Sequence, residues 1–337
     1  MFQIISDGGC DFTAQEAKRY KVDIVPFYII FEGEEELREG IDITRQEFFT
    51  RLRENKKLFP KTAQPSPQDY MDAYRPHLEA ERDILSLTIS SKLSGTYNSA
   101  NLAANMLKEE FPKRTIVVVD SMNCAVGEGL ILKEIVRMRD RGFSLGDTVD
   151  IARDVIKSTK IYFTLESLEY LRRGGRVGPT TALVGGILGL RPVLHLVNGA
   201  VEQLDSVRGK KNVLRLIEDG LVYALKNVIN DVKICVGHIL TLDDARKIKE
   251  NLEISLKTKI DSPVTEVGAT IGTHAGPGAL AIAYCKRYEA FLENVTNDIN
   301  NCDCCLSKRR TFPDVHLPSE LTNSCNVCNP LLEKIGA

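Results

Sequence analysis

Asp83-Ile84-Leu85-Ser86-Leu87-Thr88-Ile89 runs without a break into Ser90-Ser91-Lys92-Leu93-Ser94-Gly95-Thr96-Tyr97-Asn98-Ser99-Ala100. The first seven residues are a short apolar run with β-branched side chains, which reads as a buried strand. Asn98 to Leu107 reads as a helix. A strand that turns through Ser94-Gly95-Thr96 into a helix directs free backbone N–H groups, the positive end of the helix dipole and several hydroxyls at one spot. Such a spot suits a carboxylate or a phosphate. The plainer reading is that Ser94 or Thr96 only caps the helix, a role both residue types favour.

Strand-then-helix units lie on both sides of this stretch. Phe2 to Ser6 reads as a strand, Thr13-Ala14-Gln15-Glu16 is a capping box that opens a helix to Tyr20, and Asp23 to Phe31 reads as one strand. Thr44-Arg45-Gln46-Glu47 opens a helix through Arg53. Ser66-Pro67-Gln68-Asp69 starts another, with proline at the first helical position, where its missing N–H costs nothing. Thr115 to Val119 adds a strand. The fold class predicted for residues 1–155 is therefore α/β, a largely parallel sheet with helices on both faces. Ligands of such sheets bind at the carboxyl ends of strands. Ser6-Asp7-Gly8, Ser90-Ser91 and Asp120-Ser121 all fall there.

From about Lys160 the texture changes. Arg191 to Val197, Asn198-Gly199 and Ala200 to Ser206 read as a β-hairpin, because Asn-Gly supports the type I′ turn. Helices are predicted at Lys210 to Leu225 and Asp243 to Ser255, flanking strands at Val232 to His238 and Val264 to Ile271. Residues 156–284 are thus expected to form a second, α+β domain. Residues 285–337 form an appendage. Tyr288, Phe291, Leu292, Val295 and Ile299 recur there at helical spacing, which predicts packing on the body, and a Cys-rich tail follows.

The 337 residues are 43% hydrophobic and 27% charged, the balance of a soluble globular chain with room for about two domains. A formal net charge of −2 and the lack of any Lys/Arg block give nucleic acid nothing to bind. No charged start and apolar run precedes the first strand, and the weakly polar stretch Thr180 to Leu190 is far shorter than the roughly 20 residues of a membrane span. The expectation is a cytoplasmic protein. Nine cysteines without a secretory signal point to reduced thiols or metal ligands. Cys302 and Cys305 form one CxxC pair, Cys325 and Cys328 a second, and 19 residues lie between the inner cysteines. That spacing fits a structural zinc; a redox-active or unstructured tail is the other reading.

Further polar clusters accompany the Ser94 turn. Lys61-Thr62-Ala63-Gln64-Pro65-Ser66 puts a hydroxyl just before the proline-started helix, and Thr273-His274-Ala275-Gly276-Pro277-Gly278 sets a histidine beside two glycines at an expected strand end. Tyr170-Leu171-Arg172-Arg173-Gly174-Gly175-Arg176 and Val207-Arg208-Gly209-Lys210-Lys211 gather cations next to glycines, which suits anion recognition; a solvated basic face is the plainer reading. His77, His195, His238 and His316 lack such a setting.

Ser6-Asp7, Thr62-Ala63-Gln64-Pro65-Ser66, Ser90 to Tyr97, Asp120-Ser121, Leu168 to Arg176, Val207-Arg208-Gly209 and His274 to Gly278, taken in this order, resemble the DegV family. These are fatty-acid-binding proteins that serve as the lipid-carrying subunit of bacterial fatty acid kinase. The resemblance covers residues 1 to about 284. It implies two domains, an acyl chain in a tunnel and its carboxylate between the domains. It also implies an ATP-binding partner kinase that forms the acyl phosphate, no turnover by this chain alone and no cofactor for that function. Transient contact with a membrane surface belongs to the same expectation.

Residue by residue, the resemblance makes Thr62 and Ser94 the hydroxyls on the carboxylate and His274 the histidine of that network. Gly95 and Thr96 stand with Ser94 in the ligand-binding set, and Arg176 and Arg208 near the head group or the kinase-docking face. Two departures from the family pattern stand out. Thr-Ser-Gln-Pro is Thr62-Ala63-Gln64-Pro65 here, one hydroxyl fewer, and Asp7 is followed by Gly8-Gly9-Cys10 where a Ser or Thr is usual. Two other functions compete. One is a hydrolase with Ser94 as nucleophile, His274 as base and Asp7 or Asp120 as orienter, although Ser-Gly-Thr-Tyr is not a G-x-S-x-G elbow. The other is a binding or regulatory module for a different carboxylate or phosphate.

Overall fold

Three sheets organise the chain in the computed structural model, which describes residues 2–55, 58–177 and 190–292. The N-terminal part runs β1 (Gln3–Asp7), α1 (Ala14–Tyr20), β2 (Val22–Val25), β3 (Tyr28–Ile30), β4 (Leu37–Arg38), α2 (Arg45–Glu54) and β5 (Lys61–Ala63). It continues through α3 (Pro67–Glu79), β6 (Ile84–Thr88), α4 (Thr96–Glu110) and β7 (Ile116–Asp120). The order β2-β1-β6-β7 makes an all-parallel sheet, and β4-β3-β5 a small antiparallel one. The capping boxes at Thr13, Thr44 and Ser66 all form, so each helix starts where its hydroxyl can satisfy an orphan N–H.

Two long helices follow, α5 (Ala125–Asp140) and α6 (Leu145–Ser158), then β8 (Lys160–Thr164) and α7 (Glu169–Arg173). The C-terminal part adds β9 (Leu190–Val197), β10 (Ala200–Arg208), α8 (Lys210–Leu225), β11 (Val232–His238), α9 (Leu242–Leu256), β12 (Thr265–Glu266), α10 (Ala269–Ala275) and β13 (Leu280–Lys286). Its six strands lie in the order β10-β9-β8-β13-β11-β12, antiparallel except for β11 with β12.

Apolar faces decide how these layers stack. Tyr70, Tyr74 and Leu78 of α3 and Ala100, Ala103 and Leu107 of α4 bury one face of the parallel sheet with Ile5 and Ile84. Its other face, through Ile4, Leu85 and Leu87, shares one core with α5 and α6, and that core continues onto Ala283 and Cys285 of the second sheet. Helix α5 is therefore buried almost all round, its apolar residues in the shared core and its buried Glu134 and Arg139 paired, Glu134 accepting from Tyr288 N and Arg139 donating to the Lys21 carbonyl. Helices α8 and α9 cover the far face of the second sheet. An α/β part with a parallel sheet between helices, followed by an α+β part, is the architecture expected from the sequence.

Two predicted strands are corrected. Asp23–Phe31 is not one strand, because Pro26 has no N–H to continue a ladder; β2 ends at Val25 and β3 begins at Tyr28 in a different sheet. Of Val264–Ile271 only Thr265–Glu266 is strand, and Gly268 starts helix α10. The predicted hairpin is present, with Asn198 at φ 48° and Gly199 at φ 82°, both positive as a type I′ turn requires. Tyr288 is buried edge-on against Phe143 at 5.6 Å, and Phe291 and Leu292 pack on the same core. Val295, Ile299, His316 and the zinc candidates Cys302, Cys305, Cys325 and Cys328 lie outside the described residues. No helix among the described residues is long and apolar enough to cross a membrane.

Candidate functional site

The turn after β6 is held from the second half of the molecule. Ser90 Oγ donates to the Gly199 carbonyl at 2.8 Å, and a Cβ on Gly199 would overlap that hydroxyl, so the hairpin tip can dock only as glycine. Arg176 Nε donates to the Leu93 carbonyl at 3.1 Å and Nη1 to the Gly174 carbonyl at 2.6 Å. Gly95 is the N-cap of α4 and no side chain caps that helix. The Ser94 and Thr96 hydroxyls instead bond each other at 2.6 Å. Thr96 is fully buried and Gly95 is pressed against Gln64, whose Nε2 donates to Ser99 Oγ at 3.1 Å. Of the three predicted residues in this turn, Ser94 faces the cavity described below while Gly95 and Thr96 stand behind it.

His274 does not sit at a strand end but in the last turn of α10. Its Nε2 lies 2.9 Å from Thr62 Oγ1 of β5, and its Nδ1 has no partner among the described residues. Burial, reinforced by the nearby Arg176 guanidinium, pushes the imidazole down to about 4, so it is neutral at physiological pH. Helix α10 is gripped at its start as well. Asp11 Oδ1 accepts from Gly268 N at 2.8 Å, and Glu39 accepts from Ala269 N at 2.6 Å and Thr270 N at 3.0 Å. Both ends of the helix that carries His274 are thus fixed by residues of the N-terminal half. Asp11 and Glu39 were not apparent in the sequence, where nothing links them to residue 268.

Thr62, Gln64, Ser94, Arg176 and His274 share the wall of a cavity of about 370 Å³. Phe163, Leu165, Leu171 and Val201 line it too, and sequence reading missed all four. A second cavity of about 60 Å³ adjoins it, and the residues common to both are Cys124, Phe163, Leu165, Ile271 and Ala275. The charged and hydroxyl groups therefore belong to the first cavity alone. Arg208 is exposed at the end of β10 and does not line either cavity.

The arrangement lacks the parts of a hydrolase. His274 Nε2 bonds Thr62, not Ser94, and no carboxylate among the described residues reaches Nδ1. Asp7 is fully buried and accepts from Gly9 N and Ile89 N, each at 2.8 Å; burial pushes its carboxyl up to about 7 against those two bonds. Asp120 accepts from Met122 N and Ser91 N. Both aspartates organise strand ends. Among the other histidines, His77 pairs with Asp23, His195 stacks on Tyr162 and His238 is buried in β11.

Fold and site together define an α/β protein with a largely apolar cavity whose wall, among the described residues, also carries the Thr62, Ser94 and Thr270 hydroxyls, the Gln64 amide, a neutral imidazole and one guanidinium. Residues 1–287 match the model of the DegV family. The chain belongs to that family. A DegV domain-containing protein of Caldanaerobacter subterraneus subsp. tengcongensis is 32% identical over 83% of this chain and 97% of its own length. Among solved structures, a stearic acid-binding protein from Eubacterium ventriosum is 30% identical with a TM-score of 0.82, over 86% of this chain and 100% of that one. A DegV family protein from Thermus thermophilus, described for its fatty acid binding, is 31% identical with a TM-score of 0.77, over 85% of this chain and 99% of that one.

Proposed function

We propose that this chain binds a long-chain fatty acid, with the carboxylate at Thr62, Ser94 and His274 and the tail running past Phe163 and Leu165. Residues 1–155 and 156–284 act as two domains around the head group. The observation that carries the reading is the polarity of the two joined cavities: the hydroxyls, the imidazole and Arg176 line the larger one, and only apolar side chains and one thiol continue into the smaller. Two similar structures described as fatty-acid-binding support it. A long-chain acid offers about 15 methylenes at ~0.8 kcal/mol each, a gross ~12 kcal/mol before ordering costs. Each polar group contributes about 1 to 3 kcal/mol and mainly fixes where the carboxylate lies. Tail burial holds the ligand.

A neutral His274 and two hydroxyls leave the carboxylate available for reaction. On this reading the chain turns nothing over alone. It presents the acid in the cytoplasm to an ATP-binding kinase, which forms the acyl phosphate, and loads it by transient contact with a membrane surface. Exposed Arg208 belongs to the docking side and Arg176 to the head-group side. Mass spectrometry of an organic extract of the purified protein tests the central point, and a long-chain fatty acid in near-equimolar amount is expected. Folded protein that yields no acyl species and takes up no added oleate would sink the reading.

A further inference from the structure

Strand β13 carries two kinds of side chain. Leu280 and Ile282 pack with α8 and α9, whereas Ala281, Ala283 and Cys285, with Ala279 just before the strand, belong to the core shared with α5 and α6. Small residues on that face let α5 approach closely, which accounts for Ala283 and Cys285, both fully buried. It does not account for Ala281. That residue lies in a central strand facing a helix, yet it is only half-buried.

The reason is the space in front of it. Ala281 pairs with Phe163 of β8 on one side and Gly237 of β11 on the other, so one cross-strand row steps down from phenylalanine to alanine to glycine. The 60 Å³ cavity lies against this row, and Ala125, Ile161, Ile239, Val267, Ala279 and Leu280 are also in its wall. Gly237 has a separate duty: a Cβ there would meet Val126 Cγ1 at 2.8 Å and Val267 Cγ2 at 3.2 Å, so its bareness serves close packing. Ala281 lines the cavity from the middle of this row, so a larger side chain there would enter it.

We infer that the small cavity receives the methyl end of the acyl chain and that Ala281 sets how long a chain the protein accepts. The inference rests on the fatty-acid reading above. Excluding one methylene weakens binding about fourfold. Competition of laurate, myristate, palmitate and stearate against a fluorescent fatty acid, on wild type and Ala281→Leu, reads the effect directly. Stearate should weaken on the order of tenfold or more, while laurate stays within about twofold. Ala281→Val, the smaller intrusion, should give the same ordering with a smaller step, and decides the matter if the leucine variant does not fold. A wild type that takes up none of the four acids would overturn the fatty-acid reading itself. A wild type that binds them, with variants that lose all lengths equally or none, would overturn only the role of Ala281.

Discussion

Thr62 Oγ1 and His274 Nε2 meet at 2.9 Å although 212 positions separate them in the chain. The bond ties β5 of the small sheet to the last turn of α10, and it lies in the cavity wall. Thr62→Val removes the hydroxyl and leaves a largely buried ring nitrogen without a partner, which costs about 1 to 3 kcal/mol of stability. In a double-mutant cycle with His274→Leu, urea unfolding should give a coupling energy of about 1 kcal/mol. Strict additivity would mean that the two side chains do not hold each other in solution.

Gly174 offers a way to disturb the head group without touching its donors. Its backbone is helical, at φ −70°, so alanine suits the chain there, but a Cβ would fall on His274 Nδ1. Gly174→Ala should therefore act like His274→Ala. Both should lower acyl-phosphate formation with a competent kinase about tenfold or more, equivalent to losing one hydrogen bond of roughly 1.4 kcal/mol. Both should keep most of the affinity for the acyl chain, since burial dominates binding. Full activity in Gly174→Ala, with His274→Ala impaired, would show that the imidazole can move aside without loss.

The depressed His274 also predicts a pH signature. In the unfolded chain the imidazole titrates near its ordinary 6.5, but in the folded protein near about 4. Between those values the unfolded state binds more protons, so this contribution is fully present above 6.5 and is lost as pH falls to about 4. Asp7 and Asp11 run the other way. Burial pushes both up to about 7, so the folded protein keeps protons that the unfolded chain releases, and stability rises as pH falls from 7 toward 4. The opposing signs make the whole-protein profile uninformative. The difference between wild type and His274→Leu isolates the imidazole, and should shift on the order of 2 to 3 kcal/mol in favour of the variant from pH ~7 to pH ~4. A difference that stays flat would mean the ring protonates normally.

Most of the architecture was legible in local signals: three capping boxes, an Asn-Gly turn and a strand that runs into the Ser94 turn all form as their residues dictate. What misled was apolar alternation read without its punctuation. Val264 to Ile271 has β-branched residues, but Gly268 N in its midst donates to Asp11, and the next two N–H groups donate to Glu39, which fixes the start of a helix there. Nothing near residue 268 announces partners 257 and 230 positions away. Thr62, Ser94 and His274 stand in polar clusters that are weak signals singly; their order along the chain, through the family resemblance, singled them out, and the structure brings them to one cavity wall. Phe163, Leu165 and Ala281 were not recognisable, since a tunnel wall and a packed core use the same side chains. Arg208 shows the converse limit: glycine-flanked cations look alike in sequence whether they face a cavity or solvent.

For the Cys-rich segment we propose a structural zinc. The family match ends at residue 287, and the relative from Caldanaerobacter is covered over 97% of its length by only 83% of this chain, so the Cys-rich segment lies beyond what the two share. Cys302 with Cys305 and Cys325 with Cys328 are two CxxC knuckles, spaced by 19 residues in the manner of zinc sites. Four thiolates on two such knuckles can surround one tetrahedral ion. A segment this short and polar has little apolar surface to bury, so in the zinc proposal the metal would supply free energy for folding. In the same proposal Cys304, next to Cys305 in sequence, is the candidate substitute ligand. Elemental analysis of protein purified without added metal or chelator should find near-stoichiometric zinc, lost in a Cys325→Ser, Cys328→Ser variant. No zinc in the full chain would leave the cysteines as free or redox-active thiols, and zinc retained in a chain ending at Asn300 would put the metal elsewhere.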